Sequence, residues 1–187
     1  MTVESGDFFI TINYPLSTLN LPTKGDRCMT PEMVEYYCAM LTVGIRDKLD
    51  AAFDDALETE EPLSDVVLSL STCISDDTQV FHVLHHYTLT HTIDEQAVCD
   101  LVKEDVIGRY LAGEFSREDA VETLYCIAWN MDKYWDDPWY ELTSMSYALE
   151  LWQDGHISEE TFNRCFDAWF FHGVRLDPWG RNSKPKK

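Results

Sequence analysis

Residues 66–91 read VVLSLSTCISDDTQVFHVLHHYTLTH, in which two apolar segments flank the polar turn SDDT. We predict that residues 66–74 and 79–91 are the strands of one β-hairpin, with Asp76 and Asp77 at its turn. In this register the apolar faces of the two strands coincide. A loop one residue longer would put those faces on opposite sides of the sheet. The hydrophobic pattern and the turn therefore support the same hairpin.

The segments before this hairpin predict a third strand and a long helix. Residues 8–14 alternate between two faces, as in a half-buried strand. Thr30 and Pro31 provide an N-cap and a first helical residue, and an apolar stripe then continues to about Leu57. Gly44 lies near the middle of this stripe, where an isolated glycine is tolerated. We therefore predict an α+β fold in which a three-stranded sheet with one long helix is followed by a helical lobe.

The second half of the chain carries the signals of helix ends. Residues 92–95 form a predicted capping box, and Ser116 and Ser158 are predicted N-caps. The segments GEFSRE at 113–118 and GHISEE at 155–160 resemble each other, and an Asp-Pro-Trp sequence follows each. This pattern predicts a helical lobe of two αα-hairpins. The recurrence reflects either a duplication or the shared chemistry of helix starts and stops.

These elements divide the chain into three predicted parts. Residues 1–92 form an α/β lobe that contains a strand, the long helix and the β-hairpin. Residues 93–174 form the helical lobe. Residues 175–187 hold five basic side chains against one acidic side chain, and we expect them to be a flexible tail.

The chain has a formal charge of −20 at pH 7, from 34 acidic and 14 basic side chains. Its hydrophobic content of 45% excludes a disordered acidic chain, because such chains lack the apolar surface that offsets the entropy of ordering. A body with this charge repels nucleic acid and anionic membranes, so we expect direct binding to neither. The complementary partner is a basic protein, such as a nucleic-acid-binding enzyme or a toxin.

The cysteines and the N-terminus indicate the compartment. Six cysteines are scattered singly with no C-x-x-C pair, which favours buried, reduced thiols over disulfides. The sequence begins without the basic segment of a signal peptide, and no apolar stretch approaches membrane-spanning length. We therefore expect a cytoplasmic protein.

The histidine-rich segment 79–91 is the strongest candidate for metal or catalytic chemistry. On the predicted strand, His82 and His86 share one face, and Cys73 lies on that face across the hairpin. Structural zinc sites take four protein ligands and catalytic sites usually three, and this spacing matches no established pattern. The sequence also lacks the nucleophile, phosphate-loop and H-E-x-x-H motifs. No metal or cofactor is predicted, and an enzyme or metal-binding protein that uses His82 and His86 remains an alternative.

The predicted partner-binding residues form two groups. The first is an acidic row on the long helix, where carboxylates three and four residues apart lie about 5–6 Å from each other on one face. The second is the aromatic and acidic segment at the first Asp-Pro-Trp, since Trp and Tyr dominate interface energetics. We expect Trp135, Trp139 and Trp179 to be partly exposed. The predicted partner-binding residues are Asp47, Asp50, Asp54, Asp55, Glu58, Glu60, Glu61, Trp135, Asp136, Asp137 and Trp139.

The leading hypothesis is a non-enzymatic acidic binding protein that occupies the basic, nucleic-acid-binding surface of a partner, as an inhibitor or an immunity protein. Small acidic inhibitors carried by phages and plasmids occupy the DNA-binding surfaces of host defence enzymes. They share size and charge with this chain, but no motif. A second alternative is an assembly protein that oligomerises through Trp135, Trp139 and Trp179.

Overall fold

The computed structural model describes residues 29–180, and every regular element in that range is a helix. In chain order the helices are α1 Pro31–Leu41, α2 Asp47–Thr59, α3 Asp65–Ser71, α4 Asp77–Leu89, α5 Glu95–Leu111, α6 Arg117–Asn130, α7 Trp139–Leu142, α8 Ser146–Gln153 and α9 Glu159–His172. None of these helices is both long enough and apolar enough to cross a bilayer.

The predicted β-hairpin is wrong, because residues 66–91 form α3 and α4. In α3 the buried residues are Val66, Val67 and Leu70, whereas Leu68 is 49% exposed. A strand would place Val66, Leu68 and Leu70 on one face, since its side chains alternate with period two. The observed burial follows the helical period instead.

The turn predicted at Asp76 and Asp77 is the start of α4. The Asp76 carboxylate accepts hydrogen bonds from the backbone N–H groups of Thr78 and Gln79, at 3.1 and 3.2 Å. These are the bonds of a helix N-cap, and the same short polar residues favour turns and helix starts. The SDDT signal was therefore a real boundary that was assigned to the wrong element.

Helix α4 buries positions that are four residues apart. Val80, Leu84 and Thr88 are buried, whereas Leu89 is 71% exposed. The many β-branched and aromatic residues of this segment favour strands, but such preferences depend on packing context. The α+β fold class is therefore wrong, and residues 29–180 contain no strand or sheet. The third predicted strand, residues 8–14, lies outside the described residues.

The long helix predicted up to about Leu57 is broken into α1 and α2. Helix α1 ends at Leu41, and Gly44 adopts a φ of +77°, a left-handed conformation that glycine accepts without strain. The Ile45 N–H bonds to the Met40 carbonyl at 3.1 Å, and the Gly44 N–H bonds to the Leu41 carbonyl at 3.0 Å. These two bonds form a Schellman motif, which ends a helix. Gly44 is thus a helix terminator.

The predicted N-caps Thr30, Ser116 and Ser158 are confirmed. In each case the side-chain oxygen accepts the backbone N–H of the residue three positions later. Ser116 also forms a reciprocal capping box. The capping box predicted to start at Thr92 is wrong, because Asp94 caps α5 instead.

Helix α1 lies at the centre of the packing. It contacts α4, α5 and α6, and every residue from Val34 to Leu41 is buried. Helices α5 and α6 form one hairpin and α8 and α9 form a second, and α6 packs against α8. The two predicted αα-hairpins are therefore present. The division of the chain at residue 92 stays a prediction, although α1 and α5 contribute to one hydrophobic core.

Candidate protein-interaction surface

Most basic side chains of the described residues form ion pairs with acids of the same chain. Arg109 on α5 lies 3.3 Å from Asp105, 3.1 Å from Glu114 and 2.5 Å from Asp47 on α2. Lys48, also on α2, reaches Asp105 at 2.6 Å. These bonds attach the first turn of α2 to the last turns of α5, and we call them the Arg109 network.

Asp105 is the buried centre of the Arg109 network. It also accepts a hydrogen bond from the Tyr36 hydroxyl at 3.0 Å, which joins α1 to α5. Burial and the Asp105 charge raise the pKa of Tyr36 well above its usual value. Burial by itself would lower the pKa of Arg109. The hydrogen bonds to Asp47 and Asp105 and the charges of these two acids raise that pKa by more, so it lies above its usual value. The contacts of the network position the start of α2 against α5.

Lys133 is the centre of a second internal network. Its ammonium lies 2.6 Å from Glu35 on α1 and 2.8 Å from Glu95 on α5, and 5.0 Å from the ring centroid of Trp139. Glu95 also accepts a hydrogen bond from the Trp139 indole N–H. Burial lowers the pKa of Lys133, but the hydrogen bonds to Glu35 and Glu95 raise it by more. The Glu35 side chain is 4% exposed, and its Oε2 has no hydrogen-bond partner among the described residues.

The predicted acidic row lies on α2, and its first half is neutralised internally. Asp47 belongs to the Arg109 network, and Asp50 pairs with Arg46 at 2.7 Å. Asp54 and Glu58, further along the helix, are exposed, and their carboxylates form no ion pair within residues 29–180. The structure thus separates the predicted row into a structural half and an outward-facing half.

The other predicted acids of this segment lie at the end of α2. Asp55 is half-buried. Glu60 accepts a hydrogen bond from the Ser64 backbone N–H at 3.0 Å. Glu61 is exposed, and its carboxylate has no ion-pair partner in the described part of the chain. The outward charge of the row therefore lies in its second half and at Glu61.

The three tryptophans that were predicted to be partly exposed differ widely in their solvent exposure. Trp135 is 78% exposed and Trp179 is 43% exposed, which confirms the expectation for these two, but Trp139 is 1% exposed and the expectation for it is wrong. Trp139 is the first residue of α7, which packs on α5 and α6. Its indole N–H bonds to a carboxylate on another helix, a contact that its sequence neighbours do not indicate. The neighbouring Asp136 and Asp137 are exposed, as expected for an outward-facing turn.

Four aromatic rings form an exposed cluster at the end of α6, which we call the ring cluster. It consists of Tyr125, Trp129, Tyr134 and Trp135, whose neighbouring ring centroids lie 4.5 to 6.2 Å apart. Such separations are those of favourable stacked and edge-to-face pairs. Trp129 is 58% exposed, so two tryptophans of the cluster present most of their surface to solvent.

The turn after α6 positions the ring cluster. Asp132 has a φ of +57°, its N–H bonds to the Trp129 carbonyl, and the Lys133 N–H bonds to the Ala128 carbonyl. This is again the bonding pattern of a Schellman motif, here with aspartate in the left-handed position. After this turn Lys133 points inward to its carboxylates, whereas Trp135, two residues further along, lies at the surface.

An open cleft of about 460 Å³ adjoins the ring cluster along α6. Three of its lining side chains are carboxylates and none is basic, and we call it the acidic cleft. Cys126 of the cleft lies three residues before Trp129 on α6, a spacing at which side chains are neighbours, so the cleft and the ring cluster are adjacent. Glu114 belongs to both the cleft and the Arg109 network, so the cleft also borders the start of α2. The lining residues are Val43, Glu114, Phe115, Asp119, Glu122, Thr123 and Cys126.

The histidine-rich segment does not assemble a metal site. Because residues 79–91 are mainly helical, His82 and His86 lie one turn apart on the exposed side of α4. Cys73 is buried just after α3 instead of facing them across a hairpin. Between residues 29 and 180 no group of three or more His, Cys, Asp or Glu side chains has the arrangement to hold a metal ion.

No family model, curated protein or solved structure matches this chain. Its function therefore has to be inferred from the chemistry of its own surface. Three outward features of the described residues bear on that inference: the unpaired acids Asp54, Glu58 and Glu61, the acidic cleft, and the ring cluster.

Sequence reasoning identified Trp135 but missed the acidic cleft and the two α6 members of the ring cluster, Tyr125 and Trp129. The four-residue spacing of Tyr125 and Trp129 in a predicted helix was a usable signal, since residues so spaced lie on one face. The acidic cleft had no comparable signal, because its walls come from the α1–α2 turn, the α5–α6 turn and α6. Only the tertiary packing brings these three segments together.

Proposed function

We propose that this chain is a non-enzymatic binding protein whose unpaired carboxylates occupy a basic, nucleic-acid-binding surface of a partner protein, as an inhibitor or an immunity protein does. The observation that carries the proposal is how the charged groups of residues 29–180 are paired. Cationic groups are used in internal contacts, and a large excess of carboxylates faces solvent.

Nearly every basic side chain between residues 29 and 180 is already engaged within the chain. This range contains eight basic side chains against 31 acidic ones, and six of the eight form ion pairs. A seventh, Lys103, lies 4.4 Å from the ring centroid of Trp169. Few cations remain to offset the outer carboxylates, so the surface repels itself and this costs stability. A basic partner surface would relieve that repulsion. The six paired basic residues are Arg46, Lys48, Arg109, Arg117, Lys133 and Arg175.

The net charge also affects how fast such a partner would bind. A strongly negative protein attracts a basic surface over distance, which raises the association rate and makes it sensitive to salt. Surfaces that normally hold phosphate backbones are rich in Lys and Arg, so they fit this description. We further propose a cytoplasmic location, since the described cysteines are free thiols and four of the five are buried.

The proposal can be tested with a purified linker histone as the basic probe. We expect measurable binding by calorimetry that weakens at least tenfold between about 50 and about 200 mM salt. The double variant Asp54→Lys/Glu58→Lys should weaken binding strongly, because it reverses the outward half of the acidic row.

A matched control separates a specific face from net charge alone. The variant Asp154→Lys/Glu159→Lys changes the net charge equally at exposed positions elsewhere. We expect it to lower affinity clearly less than the α2 variant. Equal losses for the two variants would mean that no particular face binds, and binding indifferent to both salt and charge reversal would refute the proposal.

A further inference from the structure

Cations in this fold are repeatedly held by an aromatic ring together with a carboxylate. Three basic side chains between residues 29 and 180 lie 5.0 to 5.8 Å from a ring centroid and also pair with an acid. A cation over a ring face is attracted by the ring quadrupole, and the carboxylate adds charge pairing. The three groups are Lys133 with Trp139 and Glu95, Arg175 with Tyr140 and Glu141, and Arg117 with Tyr110, Phe166 and Asp167.

The Arg175 group shows that this arrangement works at the surface. The Arg175 guanidinium lies 3.0 Å from the Glu141 carboxylate and 5.5 Å from the Tyr140 ring centroid. All three side chains are substantially exposed. An arginine from a segment outside the helices is therefore bound by an exposed ring and acid of the helical body.

The ring cluster has the same components without a cation among the described residues. Its rings include the two most solvent-accessible tryptophans of residues 29–180. Acids adjoin it: Asp132 and Asp136 flank its turn, and Glu150 on α8 is close enough to contribute to the raised pKa of Tyr134, after burial and two neighbouring tyrosines. The adjacent Lys133 is directed inward to Glu35 and Glu95.

We propose that the ring cluster is a docking site for arginine side chains of the basic partner. This inference rests on the proposed function and specifies the chemistry of the partner that meets this part of the surface. Charge complementarity selects a cation, because the rim of the cluster is acidic. The planar guanidinium is favoured over the lysine ammonium, since it stacks on aromatic faces and sheds water more readily.

The test uses two synthetic peptides of equal length and charge, one with arginine and one with lysine at every basic position. We expect the arginine peptide to bind about three- to tenfold more tightly to the full chain, from the size of a partly exposed cation–π contact. Trp135→Ala and Trp129→Ala should each reduce or remove that advantage, and should weaken lysine-peptide binding less than arginine-peptide binding. Trp179→Ala removes an exposed tryptophan outside the cluster and should leave the advantage intact.

The variants also separate this inference from the proposed function. Asp54→Lys/Glu58→Lys should weaken the binding of both peptides to a similar degree, because it reverses carboxylates that attract arginine and lysine alike. If both peptides bind equally and the Trp135→Ala variant matches the unmodified chain, the docking site is refuted while charge-driven binding stands. If neither peptide nor the linker histone binds, the proposed function fails as well.

Two other occupants of the ring cluster would also overturn the inference. A chain ending at residue 180 lacks the basic residues of the C-terminus, and a gain in arginine-peptide affinity on that truncation would assign the rings to the chain's own end. Self-association that Trp135→Ala abolishes, measured by light scattering, would assign them to a second copy. We expect neither result.

Discussion

Replacing Lys133 is the most severe single test of whether the internal ion pairs stabilise the fold. Lys133 lies 2.6 Å from Glu35, whose side chain is 4% exposed and whose Oε2 has no hydrogen-bond partner among the described residues. Replacing Lys133 with Met would leave this buried carboxylate without its cation. Removing one member of a buried ion pair costs about 3–5 kcal/mol, because the remaining charge stays desolvated.

The second contact of Lys133 adds little to that cost. The Glu95 side chain is 40% exposed and retains the hydrogen bond from the Trp139 indole, so its share is at most about 1 kcal/mol. We therefore expect Lys133→Met to lower the free energy of unfolding by about 4 kcal/mol. For a chain of this size that corresponds to a fall of about 8–16 °C in Tm.

Urea denaturation followed by tryptophan fluorescence measures this loss, with circular dichroism as a second probe of the same transition. The double variant Glu35→Gln/Lys133→Met removes both charges and should recover about 2 kcal/mol relative to Lys133→Met. A loss below about 1 kcal/mol for Lys133→Met, or a double variant as unstable as the sum of the single ones, would refute the buried pair as a stabilising element.

Two further predictions test the helices and the thiols. In urea denaturation Leu84→Ala should lower the free energy of unfolding by about 2–5 kcal/mol, because Leu84 is buried. Leu89→Ala should lower it by less than about 0.5 kcal/mol, because Leu89 is 71% exposed. A large loss for Leu89→Ala would instead support a hairpin with Leu89 on its inner face. In a Cys28→Ser background at pH 8, a thiol reagent should modify the exposed Cys126 rapidly. Cys38 and Cys99 should react only on unfolding, because burial raises the pKa of each thiol to about 12. Rapid modification of the folded protein after Cys126→Ser is added to the same background would contradict this.

Local helix-end chemistry was predictable, because it depends on a few adjacent residues. Thr30, Ser116 and Ser158 each satisfy a backbone N–H three residues later, and that geometry follows from the sequence itself. The same rule explains one error, since Asp76 is as suitable for an N-cap as for a hairpin turn. The sequence marked the boundary but could not say which element followed it.

The type of element between 66 and 91 could not be fixed from the pattern alone. Val66 and Leu70 are buried in the helix and would also share one face of a strand, so these two positions do not distinguish the periods. Leu68 does distinguish them, but its exposure depends on where α3 packs. Packing of α4 against α1 and of α3 against α4 decided the outcome, and the local sequence carries no sign of those contacts.

The candidate surface was predictable in its sign and not in its shape. The excess of acids is a property of the composition, so an electronegative exterior follows from the sequence. Which acids remain free is decided by distant pairs such as Asp47 with Arg109, whose residues are 62 positions apart. Half of the predicted acidic row therefore proved to be structural, and the outward half could be identified only from the fold.

The ion pairs within the chain bear on why so many exposed carboxylates are kept. Each ion pair within the chain engages a cation with an acid already present, so few cations remain to offset the repulsion among the other exposed acids. Folding alone gains nothing from that exposed excess: surface carboxylates such as Asp54 and Glu58 contact no cation among residues 29–180, and replacing them with neutral residues would relieve repulsion. A feature that costs stability and contributes nothing to packing is best explained by an interaction outside the chain. The neutral variant Asp54→Asn/Glu58→Gln should therefore be at least as stable as the unmodified chain and bind a basic protein more weakly.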